Sequence, residues 1–258
     1  LVGPEMCIRD RRKSVRAFED RDIPGEVRAA ILEAAAQAPT AGNQQLYTIL
    51  DVTDPQLKAR LAETCDHQPF IAQAPMVLIF LADVCKWLDA YREAGCEPRA
   101  PGAGDVMLAA SDAAIAAQNA VTAAWSLGVG SCYIGDVMER CEEHREMLNL
   151  PPYVFPAAML VLGYPTEQQA LRPKPERFSM ADIVCENVYR RKDGPALRRM
   201  FAGRCALRGY DAWMDAFCRR KYDSDFSREM TRSVEAYLRD YGLVRAEDGG
   251  EDGRPGAR

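Results

Sequence analysis

One long helical pattern, residues 105–127, constrains the fold of this chain more than any other stretch. At 100° per residue, its polar side chains fall within about 120° of arc and alanines fill the opposite side. The polar set comprises Ser111, Asp112, Gln118, Asn119, Thr122 and Ser126, and the alanine set comprises Ala109, Ala110, Ala113, Ala116, Ala117, Ala120 and Ala124. Because a face of small side chains lets another element approach closely, we predict that this helix is central and buried.

Apolar runs predict strands around that helix. "LYTILDV" (46–52), "MVLIFLADV" (76–84) and "FPAAMLVLGYP" (155–165) have the length of strands, and a shorter strand is predicted within the glycine-rich "GVGSCYIGD" (128–136). Helical patterns at 24–37, 54–65 and 195–241 are interspersed irregularly among them. This order predicts an α+β or mixed α/β fold with one core.

Composition excludes several classes of function. The 258 residues carry a formal net charge of -5, which argues against the broad basic face of a nucleic-acid or anionic-membrane binder. No apolar run reaches the roughly 18 residues of a membrane span. Nine cysteines without a C-x-x-C pair and only two histidines offer little for a metal site. The scattered thiols suit a reducing compartment, so we expect a cytoplasmic protein.

The segment "RRKSVRAF" (11–18) gathers Arg11, Arg12, Lys13 and Arg16 around Ser14 in this acidic chain. Guanidinium groups and a hydroxyl suit a small anion such as phosphate, which offers several acceptor oxygens. The alternative is a solvated charge run near a terminus, which composition alone favours.

Two further segments could line a ligand. In "APTAGNQQ" (38–45), Gly42 allows close backbone approach, while Thr40, Asn43 and Gln45 can donate and accept hydrogen bonds. The alternative is an ordinary turn after a helix. The glycines of "GVGSCYIGD" could expose amides to a cofactor or form a tight turn. Neither G-x-G-x-x-G opening a helix nor G-x-x-x-x-G-K-[ST] is present, so a Rossmann or P-loop phosphate site is not supported.

The order RRKSVRAF, APTAGNQQ, HQPFIAQAP, GVGSCYIGD, RPKPER resembles the nitroreductase family of FMN-dependent oxidoreductases. Each motif is weak alone, but five in this order, over residues 9–190, are fairly specific. The chain departs from the family pattern where Leu46 and Tyr47 replace Pro-Trp, where Tyr133 replaces Trp and where Thr40 replaces Ser.

The resemblance implies a three-layer α+β fold with a central mixed β-sheet flanked by helices. It also implies an intertwined homodimer with FMN at the subunit interface, in which the alanine face of 105–127 would meet its own copy. We expect an FMN-binding domain over 9–194 and a helical extension packed on the dimer over 195–241. The polar, glycine-rich end, 242–258, is expected to be disordered.

The resemblance also assigns cofactor-binding residues. The FMN phosphate would contact Arg12, Ser14 and Arg16, with Lys13 in the same segment and Lys174 or Arg177 joining from the far end of the chain. Thr40, Ala41 and Asn43 would line the flavin, and Gln68 would reach the ring or the ribityl chain. Ile134 and Gly135 would lie against the isoalloxazine, with the Gly135 amide near N5.

The implied reaction takes hydride from NAD(P)H and reduces nitroaromatics, quinones or similar small acceptors by a ping-pong mechanism, with no catalytic triad. His67, beside Gln68, could donate a proton or could be an ordinary exposed histidine. Two alternatives stay open. One is a specialised flavin reaction, either dehalogenation, for which 85–104 could form a lid, or flavin fragmentation. The other is a flavin-holding protein without turnover.

Overall fold

The structure is a computed structural model that describes residues 12–243. The first residues of the predicted FMN-binding domain, 9–11, and most of the predicted tail, 244–258, lie outside the described residues. None of the helices within 12–243 is both long and apolar enough to cross a bilayer. The same residues hold no cluster of three or more histidine, cysteine, aspartate or glutamate side chains placed to bind a metal ion.

Within residues 12–171 the structure has four strands and seven helices. The strands are β1 (Tyr47–Asp51), β2 (Met76–Asp83), β3 (Gly130–Ile134) and β4 (Val154–Gly163). The helices are α1 (Gly25–Ala36), α2 (Pro55–Thr64), α3 (Phe70–Gln73), α4 (Cys85–Glu93), α5 (Ala103–Ser126), α6 (Cys141–Leu148) and α7 (Glu167–Leu171). Single 3₁₀ turns follow α1 at Ala41–Asn43 and β3 at Asp136–Met138.

The elements of residues 172–243 are helical. They are α8 (Met180–Ile183), α9 (Gly194–Met200), α10 (Ala202–Cys205), α11 (Tyr210–Lys221), α12 (Asp225–Leu238) and a final 3₁₀ turn at Arg239–Tyr241.

The strands form one sheet in the order β1-β2-β4-β3. All three pairings are antiparallel, so the expectation of a mixed sheet is wrong for these four strands. Each strand lies beside a neighbour that runs the opposite way. At the β3 edge of the sheet, Ser14 forms an isolated parallel β-bridge with Ser131.

The sheet is covered by helices on both faces, as a three-layer fold requires. All eight residues of β2 are buried, and alternate side chains enter different cores because successive strand residues point to opposite faces. Val77 and Ile79 pack in a core with α2, α6 and α12. Leu78 and Phe80 pack in a second core with α1 and α5.

Helix α5 is central and buried, as its alanine face predicts, but its partner differs from the expectation. Ala113, Ala117 and Ala120 have no exposed surface and pack in the core that contains Ile31 of α1 and the sheet. The predicted contact between the alanine faces of two copies is therefore wrong, because this face is already covered within one chain.

The outer face of α5 instead presents large apolar side chains to the surface. Met107, Leu108 and Ile115 are 67%, 50% and 40% exposed. Leu108 and Ile115 lie two turns apart on one side of the helix, with Ser111 between them. We call the three apolar residues the α5 stripe.

The end of the C-terminal extension packs on the main body. Tyr237 of α12 contacts the ring of Phe155 edge-on, with centroids 5.1 Å apart, and the Tyr241 hydroxyl donates to the Tyr153 carbonyl at 2.8 Å. By contrast, α11 has no buried residue. The division into a domain at 9–194 and an extension at 195–241 stays a prediction.

Candidate functional site

The N-terminal segment reaches the sheet at the outer edge of β3. The Val15 amide donates to the Ser131 carbonyl at 2.9 Å. This approach is so close that a Cβ added at Gly130 would come within 2.7 Å of Val15 Cγ2. Glycine at 130 therefore makes room for the segment and fixes Ser14 beside β3.

A second set of contacts holds the segment at the exit of β4. The Thr166 amide donates to the Ala17 carbonyl at 3.2 Å, and the Glu19 amide donates to the Tyr164 carbonyl at 2.8 Å. A Cβ at Gly163 would come within 2.7 Å of the Phe18 ring. The segment thus lies between the ends of two adjacent strands.

Arg172 joins the cationic segment from the far side of the chain. Its Nη2 donates to the Ser14 carbonyl at 2.7 Å, while its buried Nε–H has no hydrogen-bond acceptor among the described residues. A buried donor without an acceptor is unfavourable, so an anion supplied from outside the chain fits this position. The sequence reasoning missed Arg172, although it is the first basic residue of "RPKPER".

The guanidinium groups of the segment lie beside β3. Burial raises the pKa of the Cys132 thiol, and the nearby Arg16, Ser14 and Arg12 oppose that rise. Arg12 and Ser14 are half-buried, whereas Arg16 is exposed. Arg12, Ser14, Arg16 and Arg172 are the residues that we call the cationic cradle.

Lys13 is held by the backbone in this structure. Its side chain is buried, with 6% exposed, and its ammonium donates to the Ala170 carbonyl at 2.8 Å and to the Arg172 carbonyl. Two backbone carbonyls hold this charge, so Lys13 fixes the chain that carries Arg172. The assignment of Lys13 to the cofactor stays a prediction.

The two basic residues that the sequence predicts at the phosphate, Lys174 and Arg177, come after Arg172 in the chain. Lys174 is half-buried and Arg177 is exposed. Arg172 donates to the Ser14 carbonyl, so we take it as the third arginine of the cradle, and the assignments of Lys174 and Arg177 stay predictions.

Ile134 and Gly135 lie where β3 ends. Ile134 is buried and anchors the turn, while Gly135 is exposed. The Met138 amide donates to the Gly135 carbonyl at 3.0 Å and closes the 3₁₀ turn. Since glycine has no side chain, a planar ring can approach the backbone here closely.

Gln68 follows α2 in a tightly wound turn. Asp66 and His67 both adopt the left-handed conformation, with φ of 61° and 50°. The Gln68 amide donates to the Ala62 carbonyl at 2.8 Å, and its side-chain Nε2 donates to the Cys65 carbonyl at 2.8 Å. His67 is exposed.

The loop that carries Thr40, Ala41 and Asn43 is organised by Asp112 of α5. This carboxylate is buried, with 3% exposed. It accepts from the Ala41 amide at 3.0 Å, from the Leu46 amide at 3.2 Å and from the Thr40 hydroxyl. Sequence reasoning placed Asp112 in the polar arc of the helix but gave it no role.

The predicted residues fall into two groups along α5. The Thr40 loop is anchored at Asp112, and Tyr133, next to Ile134, is linked to Gln118, whose Oε1 lies 3.4 Å from the tyrosine hydroxyl. These anchor points are six residues apart, which is about 9 Å along the helix. Within one chain the Thr40 loop and the end of β3 therefore lie on different parts of α5.

Glu139 is a buried carboxyl just beyond the Gly135 turn. It is buried, and its Oε1 has no partner among the described residues. Burial, as the largest cause, and the neighbouring carboxylates of Asp136, Asp66 and Glu229 together raise the pKa of Glu139 to about 7. This carboxyl therefore titrates near neutral pH.

Comparison with known proteins identifies the family. Residues 10–164 match the Nitroreductase family. The chain is 30% identical to an FMN reductase (NAD(P)H) of Bacillus subtilis over 228 residues, 87% of each chain. It is 33% identical to an oxygen-insensitive NADPH nitroreductase of Salmonella typhimurium over 198 residues, 77% of this chain and 80% of that one. The structure of B. megaterium NfrA2 is similar with a TM-score of 0.78 at 27% identity, over 94% of this chain and 98% of that one. This chain belongs to the nitroreductase family.

Proposed function

We propose that the protein is an FMN-dependent oxidoreductase that takes hydride from NAD(P)H and reduces nitroaromatics, quinones or similar small acceptors. The observation that carries the proposal is the cationic cradle, in which Arg172 reaches Ser14 while its buried Nε–H lacks an acceptor. When bound, FMN supplies the redox chemistry, because its isoalloxazine accepts hydride from one substrate and passes electrons to the next.

The chain's own residues bind and orient that cofactor. The arginines of the cradle and the Ser14 hydroxyl are suited to the phosphate, since charge-assisted hydrogen bonds are the strong ones. Gly135 leaves the backbone accessible to the ring. Hydrogen-bond donors held in place by the fold stabilise the negative charge that grows on the ring during reduction. The amide of Gly135, in the turn at the end of β3, is the donor proposed for this role.

The protein is proposed to act as a homodimer. The α5 stripe lies beside both groups of predicted residues, since Asp112 anchors the Thr40 loop and Gln118 contacts Tyr133. A second copy that covers Met107, Leu108 and Ile115 would therefore contact both the Thr40 loop and the end of β3. An exposed apolar surface of this kind marks an interaction site, and burial against a second copy completes the pocket for a small acceptor.

The segment 85–104 favours apolar acceptors over the zwitterion that a dehalogenase must hold. Helix α4 and the loop after it border a cavity of about 310 Å³, whose lining includes Leu46, Trp87 and Tyr91. The lining charges, Arg99 and Asp105, pair with each other at 2.7 Å. Because they neutralise each other, they offer little to a charged substrate.

The proposal is tested by identifying and titrating the cofactor. The purified protein should release FMN on denaturation, and the stripped protein should rebind FMN. Arg172→Ala should raise the FMN Kd about 10- to 150-fold, because one charge-assisted contact contributes about 1.5–3 kcal/mol. Arg219→Ala removes an exposed arginine that pairs with Asp215 in α11 and should leave the Kd unchanged.

Two results would count against this reading at different levels. A folded protein that neither contains nor takes up FMN contradicts the proposed function. An Arg172→Ala variant that binds FMN as tightly as the parent contradicts the assignment of Arg172 alone.

A further inference from the structure

His144 of α6 has no exposed surface and uses both of its ring nitrogens. Nδ1 lies 2.9 Å from the Val137 carbonyl, and Nε2 lies 2.8 Å from the Thr64 hydroxyl. Because a carbonyl can only accept, Nδ1 carries a proton. Burial lowers the pKa of the ring and so favours its neutral form, in which Nε2 accepts from the Thr64 hydroxyl.

The two partners of His144 belong to the two turns that are predicted to contact the flavin. Thr64 is the last residue of α2 and lies four residues before Gln68. Val137 lies in the 3₁₀ turn, two residues after Gly135. Each turn is also closed locally, by the Gln68 amide on the Ala62 carbonyl and by the Met138 amide on the Gly135 carbonyl. The ring therefore joins two locally rigid pieces of backbone.

A second contact, from Ser233 of α12, also holds the Gly135 turn. The Ser233 hydroxyl of α12 donates to the Met138 carbonyl at 2.7 Å and accepts from the Cys141 amide at 2.9 Å. This contact reaches one turn only. Of the side chains described here, His144 is the one whose two hydrogen bonds span from the Gly135 turn to the end of α2.

We propose that His144 is a positioning residue for the cofactor, which sets the spacing between the Gln68 turn and the Gly135 turn through Thr64 and Val137. This role rests on the proposed function, because it needs FMN to lie against both turns. His144 has no exposed surface, so it would act on the cofactor through the backbone it holds. Loss of the link should let the turns separate and should weaken FMN binding.

The sharpest test changes the hydroxyl and leaves the ring in place. Thr64→Val keeps the shape of the side chain and removes the donor to Nε2, and Thr64→Ser restores a hydroxyl. We expect Thr64→Val to raise the FMN Kd about fivefold, equivalent to about 1 kcal/mol, and Thr64→Ser to bind FMN as the parent does. Ile31→Val, in the core on the other face of the sheet, serves as a matched control that lowers the melting temperature without changing the Kd.

The tautomer gives a readout that does not depend on these variants folding. The chain has only two histidines, His67 and His144, so nitrogen-15 NMR of the FMN-loaded protein can resolve each ring. We expect one neutral ring protonated at Nδ1 whose state does not change on mild acidification. A His144 ring that carries no proton at Nδ1 would overturn the link, because it could not donate to the Val137 carbonyl.

The outcomes separate the two proposals. If the parent binds no FMN, the proposed function fails and the positioning role fails with it. If the parent binds FMN and Thr64→Val binds it equally well, or Thr64→Ser is as weak as Thr64→Val, only the positioning role is wrong.

Discussion

At the scale of single residues, buried polar side chains shape this site more than exposed charges do. Asp112 accepts hydrogen bonds from the Ala41 and Leu46 amides and so holds a loop in which Gly42 and Asn43 take left-handed conformations. Glycine and asparagine tolerate this conformation, and the buried carboxylate fixes the loop by accepting charge-assisted hydrogen bonds from its amides.

Glu139 makes the stability of the protein depend on pH. Its pKa is raised to about 7 in the folded protein, above its ordinary value of about 4.3. The folded state therefore binds more protons than the unfolded state between these values, so the free energy of unfolding falls as pH rises through this range.

We predict that Glu139→Gln removes this dependence. The free energy of unfolding of the variant, relative to that of the parent, should increase as the pH rises from about 5 to about 8, because the amide cannot ionise. Denaturant unfolding at both pH values measures the effect, with Glu33→Gln at an exposed position of α1 as the control. A difference in free energy between variant and parent that is the same at both pH values would contradict the account.

At the scale of elements, two glycines determine where the N-terminal segment lies. Gly130 and Gly163 pair directly across β3 and β4, and each makes room for an apolar side chain of the segment, Val15 and Phe18 respectively. The cationic cradle is thus positioned by the absence of two side chains on the sheet.

Gly163→Ala should displace the segment. The new Cβ would lie 2.7 Å from the Phe18 ring and 2.8 Å from Pro75, so both the melting temperature and the affinity for FMN should fall. Gly104→Ala is the matched control, because nothing lies within 4 Å of the added carbon and alanine favours a helix by about 0.5–1 kcal/mol. A Gly163→Ala variant with parental FMN affinity would show that the segment is not held in this way.

Local sequence pattern predicted most elements but not their partners. β2, β4 and α5 were predictable within about two residues because continuous apolar runs and helical periodicity define them. The pattern did not predict the direction of strand pairing. It also did not predict which element packs on the alanine face of α5, since a pattern of burial does not reveal what covers a face. Arg172 and His144 were missed because their roles depend on distant contacts, such as Arg172 with Ser14, 158 residues away.

At the scale of the whole molecule, the α5 stripe is the surface on which the proposed dimer depends. We predict that Leu108→Glu converts the protein from dimer to monomer and weakens FMN binding, because a charge cannot be buried at this interface without a partner. Light scattering at micromolar concentration measures the mass, and Arg60→Glu at an exposed position of α2 is the control. A parent protein that is monomeric while loaded with FMN would contradict the dimer.

The central claim is that the bound flavin exchanges electrons with a nicotinamide and then with a small acceptor. The most direct measurement mixes the FMN-loaded protein anaerobically with NADPH or NADH, follows the visible flavin absorbance, and then adds a nitroaromatic or a quinone. We predict that at least one nicotinamide bleaches the flavin and that the acceptor restores its colour. An FMN-loaded protein whose flavin stays oxidised with both nicotinamides would contradict the account and would indicate a flavin-holding protein without turnover.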